Sequence, residues 1–211
     1  MRRLPVYLLL DTSGSMKGEP IEAVKVGLSS LLASLRKDPY ALETVHICLL
    51  TFDREVKDVV PLTSLEEFVI PEINTPQSGP TMTGLALERV CQLVDRDVER
   101  STPDHRGDWR PLLFVMTDGA ASDVALFNSM IPEVQRRRFG TIVGCAAGPK
   151  SKPDELRKLC QHVVTLDTMD GHAFTSFFQW VSTAVSNGNQ SAGLGAPLGL
   201  PPPPTDINLV F

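Results

Sequence analysis

Short apolar segments alternate with amphipathic helical patterns along this chain, and this alternation restricts the fold more than any other feature. The apolar segments predict five strands, over residues 4–10, 45–52, 112–116, 141–147 and 162–166. They are apolar at successive positions rather than at every second one, which is typical of strands covered on both faces. Residues 56–62 follow the second strand after a tight turn and predict an exposed edge strand.

Between these strands, apolar residues recur every three or four positions, which predicts helices with one buried face. The helical patterns cover about residues 21–35, 87–98, 123–138 and 173–185. Pro132 is expected to bend or divide the third of them, because proline cannot donate the helical hydrogen bond. Strands that alternate with helices favour an α/β fold, in which a largely parallel sheet carries helices on both faces.

The composition indicates a globular domain. The 211 residues suffice for one domain, and the net charge of −5 argues against a nucleic-acid binder, which usually carries a basic excess. Four scattered cysteines form no C-x-x-C pair, which argues against a zinc ribbon and fits a reducing compartment. No segment reaches the roughly 18 apolar residues of a membrane span, and Asp11 ends the first apolar run too early for a signal peptide. We therefore expect a cytoplasmic protein.

The composition changes after Val185, which predicts a domain of residues 1–185 and a tail of residues 186–211. Residues 186–200 are rich in Gly, Ser and Asn and predict a flexible linker, which is followed by four consecutive prolines.

The end of the tail is apolar and predicts a docking segment. The expected anchors are Ile207, Leu209, Val210 and Phe211. Two acceptors are conceivable: the edge strand of residues 56–62 by strand addition, or the metal site of a second molecule through Asp206. The third alternative is that the tail has no docking role.

Oxygen-bearing side chains follow the first strand. Asp11, Ser13 and Ser15 lie at alternate positions of a short loop, and Gly14 lets the backbone turn tightly there. Three oxygens at this spacing can converge on one small, hard cation. Magnesium prefers such ligands in octahedral geometry and usually retains waters or an outside ligand.

Two further loops offer similar side chains. Asp118 follows the strand of residues 112–116, and Thr81 and Thr83 precede the helix that starts near residue 87. Thr83 is expected to be only the N-cap of that helix. Ligand sites in α/β folds lie at the carboxyl ends of the strands, so these loops are expected to meet.

In combination, these residues resemble the von Willebrand factor A domain family. The matching motifs are D-x-S-x-S with Asp11, Ser13 and Ser15, T-x-T-G starting at Thr81, and T-D-G containing Asp118. In the family these positions form the metal-ion-dependent adhesion site. The resemblance implies that Ser13 and Ser15 bind the metal directly. It implies that Thr81 does so directly in one state and through water in another, and that Asp11 and Asp118 act directly or through water.

The resemblance covers about residues 4–185 and implies a doubly wound, mostly parallel six-stranded sheet with one antiparallel edge strand and helices on both faces. The implied ion is Mg²⁺ or another divalent cation such as Mn²⁺ or Ca²⁺.

A narrower resemblance concerns residues 4–10, 107–113 and 144–149, which look like the TerY proteins of bacterial tellurium-resistance operons. It implies a role in tellurite and other chemical stress, with operon-encoded kinase or phosphatase proteins as partners. Some relatives carry a Cys/His metal module after the domain. No cysteine follows Cys160 in this sequence, so that module is not expected here.

Three functions fit these observations. The first is a non-enzymatic binding module, in which a partner's Asp or Glu completes the coordination of the metal. The second is a magnesium-dependent hydrolase, although the strand-end loops offer no convincing His, Cys or Lys. The third is a scaffold with a structural metal. No phosphate-binding P-loop and no G-x-S-x-G nucleophile motif occurs.

Overall fold

Seven strands form one sheet in the computed structural model, which describes residues 2–76, 79–149, 151–194, 201–204 and 208–210. The strands are β1 (Leu4–Asp11), β2 (Val45–Phe52), β3 (Val56–Ser64), β4 (Leu112–Thr117), β5 (Thr141–Ala147), β6 (His162–Leu166) and β7 (Asn208–Val210). Their order is β3-β2-β1-β4-β5-β6-β7. β1, β2, β4, β5 and β6 are parallel, and β3 and β7 are antiparallel edge strands. The six predicted strands, including the antiparallel edge strand, are therefore confirmed.

Helices cover both faces of the sheet. They are α1 (Glu19–Leu35), α2 (Pro39–Thr44), α3 (Thr83–Asp97), α4 (Val124–Arg136), α5 (Pro153–Leu156) and α6 (Gly171–Leu194). Residues of α1, α2 and α6 share one hydrophobic cluster, and those of α3, α4 and α5 share the other. The doubly wound arrangement expected from the sequence is confirmed.

β1 lies at the centre and serves both clusters. Leu8 and Leu10 pack towards α1 and α6, whereas Tyr7 and Leu9 pack towards α3 and α4, because successive strand residues point to opposite faces. All eight residues of β1 are buried, which explains its continuous apolar sequence.

α1 and α6 approach each other closely at Gly27. A Cβ atom at this position would lie 2.4 Å from Cδ2 of Phe178, so any side chain would push the two helices apart. This contact fixes α1, which follows the loop of Asp11, Ser13 and Ser15.

Two helical expectations need correction, and two short helices are additional. α6 continues to Leu194, so residues 186–194 belong to a helix and not to the flexible linker predicted for residues 186–200. Pro132 does not divide α4, which runs through it as a single helix, and Pro132 is exposed there, so solvent can reach the backbone around the missing hydrogen bond. The short helices α2 and α5 were not predicted.

The tail docks by strand addition, but onto β6 rather than onto the predicted acceptor at residues 56–62. Asn208–Val210 pairs antiparallel with β6, from Val163 opposite Val210 to Thr165 opposite Asn208. The other two expected anchors, Ile207 and Phe211, and the proposed metal ligand Asp206 lie outside the described residues.

Candidate metal-binding site

The predicted site residues gather where the chain changes direction across the sheet. From β1 the chain proceeds to β2 and β3 on one side, and it then crosses to β4, β5 and β6 on the other. β1 and β4 are neighbours with parallel register, so the loops after them diverge from a common crevice. Asp11 ends β1 and Asp118 directly follows β4, and both carboxylates therefore lie at this crevice.

The loop after β1 is ordered by its own side chains. The backbone N–H of Ser13 donates to Oδ1 of Asp11 at 2.8 Å. The hydroxyl groups of Ser13 and Ser15 are 3.2 Å apart, and residues Gly14–Met16 form a single 3-10 turn. The D-x-S-x-S pattern thus places two hydroxyl groups side by side above a buried carboxylate.

Hydrogen bonds connect this loop to the loop after β4. The hydroxyl of Ser15 donates to Oδ1 of Asp118 at 2.9 Å, and that of Thr117 donates to Oδ2 of Asp11 at 2.6 Å. Asp11 and Asp118 are 1% and 7% exposed, whereas Ser15 is exposed. The cluster is therefore buried on the side of the two carboxylates and open to solvent on the side of Ser15.

Thr81 lies at the same crevice but is held differently. Its hydroxyl oxygen faces Gly119, since it would be 3.9 Å from a Cβ atom added there. Within the described part of the chain, this hydroxyl forms no hydrogen bond with the other four predicted ligands. The backbone of Thr81 is instead paired with Ser122, through bonds of 3.0 and 2.8 Å.

Thr83 is not the N-cap of α3, contrary to expectation. It is the first residue of the helix, and Met82 occupies the N-cap position without a side-chain bond. The side chain of Asp123 satisfies the helix terminus instead, since it accepts from the backbone N–H groups of Gly84 and Leu85 at 3.0 and 2.8 Å. A residue from another loop thus does what the sequence assigned to a local threonine.

The charge of Asp11 is poorly compensated by the protein. Burial raises its pKa to about 6, and the nearby charge of Asp118 acts in the same direction. The hydrogen bonds from Thr117 and Ser13 lower the pKa but do not offset the burial. Among the described residues, neither Asp11 nor Asp118 forms an ion pair with Lys, Arg or His. Two buried carboxylates without a cationic side chain are typical of a cation site.

The donor set fits a small divalent cation. Magnesium–oxygen bonds of about 2.0–2.1 Å place neighbouring octahedral oxygens roughly 2.9 Å apart. The separations between Ser13 Oγ and Ser15 Oγ, and between Ser15 Oγ and Asp118 Oδ1, are 3.2 and 2.9 Å. Over the described ranges, no three residues of the types His, Cys, Asp and Glu form a metal-binding group, so a cation here would depend on hydroxyl ligands.

Several supporting residues were missed by the sequence analysis. Thr12 donates to Oδ2 of Asp53 at 3.3 Å, and the backbone oxygen of Asp53 accepts from Met82 at 3.0 Å. Asp53 thereby joins the loop after β1 to the loop before α3. It follows β2, so the rule that sites lie at strand ends could have identified it. Glu155 accepts from the N–H of Ala121 and holds the loop of Asp118 in place. No local sequence pattern predicts this contact.

The comparison with known families identifies the fold. The profile of the von Willebrand factor type A domain matches residues 6–178. The chain belongs to this family. Von Willebrand factor A domains mediate protein–protein interactions, and their metal-ion-dependent adhesion sites bind divalent cations. No curated protein matches the chain in sequence.

Solved structures share the fold at low sequence identity. Proximal thread matrix protein 1 from the mussel byssus superimposes with a TM-score of 0.64 and 14% identity, over 88% of this chain and 48% of that one. The same protein has also been solved with a zinc-occupied MIDAS motif. The pilus adhesin SpaC from Lactobacillus rhamnosus GG gives a TM-score of 0.68 and 12% identity, over 89% of this chain and 31% of the adhesin. This chain thus spans about half or less of the length of these proteins.

The helices of the described residues include none that is both long and apolar enough to cross a membrane.

Proposed function

We propose that this chain is a non-enzymatic, metal-dependent protein-binding module. Asp11, Ser13, Ser15, Thr81 and Asp118 hold the divalent cation. The observation that supports this most directly is the hydrogen bond of Ser15 to Asp118, because it draws two separate loops into one oxygen cluster with the spacing that an octahedral cation requires.

The kinds of ligand favour an acidic partner. Three of the five side chains are neutral hydroxyls, which are weak donors to a metal. A bound divalent cation therefore stays a strong acceptor of electron pairs and can take a partner's Asp or Glu as a further ligand. Ser15 is exposed, which leaves the cluster accessible from solvent. In this proposal, Asp11 orients the loop through Ser13 and Thr117, and the hydroxyl groups present their oxygens outwards.

The surroundings of the site favour binding over hydrolysis. Among the described residues, the hydrogen bonds of the five side chains involve Ser and Thr groups and no His, Cys or Lys. All four cysteines are buried, and burial raises the pKa of Cys91 to about 11 and that of Cys48 to about 12, so these thiols stay protonated at neutral pH. The similar fold of a pilus adhesin also supports a binding role.

The cellular context is the finer part of the proposal. The resemblance to TerY proteins supports a role in the response to tellurite or other chemical stress in the bacterial cytoplasm. The partner would then be a protein of the same operon, such as a kinase or phosphatase, that presents an acidic side chain. The net charge of −5 favours a protein over a nucleic acid as the partner. Mg²⁺ is the ion that we propose, with Mn²⁺ or Ca²⁺ as alternatives.

Two measurements test the proposal. Calorimetric titration of the wild-type protein with Mg²⁺ or Mn²⁺ should show one site, and Asp11→Ala should abolish it. The immobilised protein should then capture a partner from stressed cells in Mg²⁺ but not in EDTA. Thr81→Ala should reduce capture, whereas Thr63→Ala, a control on β3 whose hydroxyl donates to the carbonyl of Pro61, should not.

Two outcomes would contradict the proposal. A wild-type protein that binds no divalent cation would exclude the metal site. Magnesium-dependent hydrolysis of phosphate esters that is lost in Asp11→Ala would instead identify a hydrolase.

A further inference from the structure

The backbone of Thr81 is held in place by a residue of another loop. Its backbone N–H donates to the hydroxyl of Ser122 at 3.0 Å, and its carbonyl accepts from the N–H of Ser122 at 2.8 Å. A residue 41 positions away thus holds both polar groups of the Thr81 backbone.

Asp123, the next residue after Ser122, makes a second connection between the same two segments. It occupies the N-cap position of α4 but makes no side-chain bond to its own helix. Its two carboxylate oxygens accept instead from Gly84 and Leu85, at the start of α3. The two helix termini are in direct contact, because a Cβ atom on Gly84 would lie 2.4 Å from the backbone nitrogen of Phe127.

Ser122 and Asp123 belong to the loop that also carries Asp118. That loop is held by α5, since the backbone N–H of Ala121 donates to Oε2 of Glu155 at 3.0 Å. The position of Thr81, in the segment before α3, therefore depends on the position of this loop. By contrast, the hydroxyl of Thr81 has no bond to the other predicted ligands among the described residues, so its placement depends on its backbone.

We propose that Ser122 and Asp123 are positioning residues, which fix the hydroxyl of Thr81 relative to Asp118 so that both reach the same cation. This inference rests on the proposed function, since it takes Thr81 and Asp118 as ligands. Removal of a group that orients a metal ligand typically weakens metal binding by 10–100-fold.

The primary test is calorimetric titration of the full chain with Mn²⁺. Ser122→Ala should weaken binding about tenfold, because it removes the acceptor for the Thr81 N–H. Ser122→Thr should restore binding, since it keeps the hydroxyl and position 122 is exposed enough for a methyl group. Ser101→Ala is the matched control: the hydroxyl of Ser101 also accepts a loop N–H, from Gly107 at 3.1 Å, in the loop that precedes β4.

A double-mutant cycle separates positioning from a general loss of structure. In a Thr81→Ala background, Ser122→Ala should change Mn²⁺ affinity by less than about twofold, because the hydroxyl that it positions is already absent. A tenfold effect in both backgrounds, or no effect in either, would overturn the inference.

Hydrogen exchange of the metal-free protein tests the coupling without any metal. Ser122→Ala and Asp123→Asn should accelerate amide exchange at residues 81–85 and leave residues 10–16 unchanged. Unchanged exchange at residues 81–85 would overturn the inference. If the wild type binds no cation while these exchange effects appear, the proposed function fails but Ser122 and Asp123 still order Thr81.

Discussion

Ser15 donates its hydroxyl hydrogen to Asp118 at 2.9 Å, although the two residues lie 103 positions apart in the chain. This bond, together with the one from Thr117 to Asp11, brings the two halves of the candidate site into contact. The paired loops leave two carboxylates together without a cationic side chain among the described residues. A bound cation is therefore expected to stabilise the folded state considerably.

Metal binding should raise the stability of the wild type and not that of Asp118→Ala. A ligand that binds only the folded state at a hundred times its Kd raises the free energy of unfolding by about 2.7 kcal/mol. Thermal denaturation with and without saturating Mg²⁺ measures this gain. Asp104→Ala removes an exposed carboxylate elsewhere and should retain the full gain. Equal gains in Asp118→Ala and the wild type would exclude Asp118 from the site.

Asp11→Asn should stabilise the metal-free protein at neutral pH. The folded pKa of Asp11 is about 6, above its ordinary value of 3.8, so the folded state binds more protons than the unfolded state between these values. The stability contributed by this group is thus present at low pH and is lost as pH rises through about 6. The loss amounts to roughly 3 kcal/mol, and asparagine, which cannot ionise, avoids it.

The measurement is the difference in unfolding free energy between Asp11→Asn and the wild type, in EDTA, from pH 4 to pH 7.5. It should shift in favour of the variant by about 2.5 kcal/mol across this range. Asparagine can still accept from Ser13 and donate to Thr117, so the fold should persist. A difference that does not depend on pH would show that Asp11 titrates normally.

The sheet was largely predictable from the sequence because its strands are buried on both faces. β2, β5 and β6 begin and end at the predicted residues, since each is a largely apolar run bounded by polar residues or glycine. The convergence of the candidate ligands was predictable for a related reason: parallel strands bring their carboxyl ends to one edge of the sheet, and the polar residues at the ends of β1 and β4 therefore meet.

The docking position of the tail was not predictable, because the tail could add as a strand to either edge of the sheet, β3 or β6. β3 is the longer edge strand, but it carries the exposed charges of Lys57 and Asp58, and edge charges oppose strand addition. β6 contains no charged residue, and it is the strand that pairs with β7.

The extension of α6 to Leu194 was missed for another reason, since adding residues to an existing helix costs much less than nucleating one. The bridging role of Asp123 depends on contacts between separate loops.

Tyr7→Phe should stabilise the protein. The hydroxyl of Tyr7 is buried in β1 and has no hydrogen-bond partner among the described residues. A buried polar group without a partner costs about 1–3 kcal/mol, so its removal should raise the free energy of unfolding by about 1 kcal/mol. Denaturant unfolding measures this change. Tyr40→Phe, which alters an exposed tyrosine, should have a negligible effect. A destabilised Tyr7→Phe would indicate that a buried water satisfies the hydroxyl.

Gly84→Ala should weaken both the fold and the metal site. The added methyl group would lie 2.4 Å from the nitrogen of Phe127 and 2.8 Å from Oδ2 of Asp123, so α3 and α4 must separate. Such overpacking costs roughly 1–3 kcal/mol, and the separation disturbs the segment that holds Thr81. Gly171→Ala is the control, because a Cβ atom there meets nothing within 4 Å. Unfolding and Mn²⁺ titration of both variants measure the two effects. Equal metal affinity in Gly84→Ala and the wild type would contradict the predicted weakening of the metal site.

Trp180→Phe should loosen the docked tail. Nε1 of Trp180 donates to the backbone oxygen of Pro201 at 3.0 Å, just before the chain continues towards β7. A strand of three residues is marginal alone, so this bond and the stiffness of the four prolines are expected to support it. The phenylalanine keeps an aromatic ring at a buried position but leaves the Pro201 carbonyl without its donor. Stability should fall by about 1 kcal/mol, and amides of β6 should exchange faster.

Hydrogen exchange at Val163–Thr165, the residues of β6 that face β7, decides whether the tail protects this edge. Trp109→Phe is the control for Trp180→Phe, since it retains a ring beneath the guanidinium of Arg2, which lies 3.5 Å from the ring centroid. A shortened chain of residues 1–200 keeps all of α6 and should show faster exchange in β6 while β5 stays unchanged. Equal exchange of β6 in the full and shortened chains would mean that the strand contributed by the tail does not persist in solution.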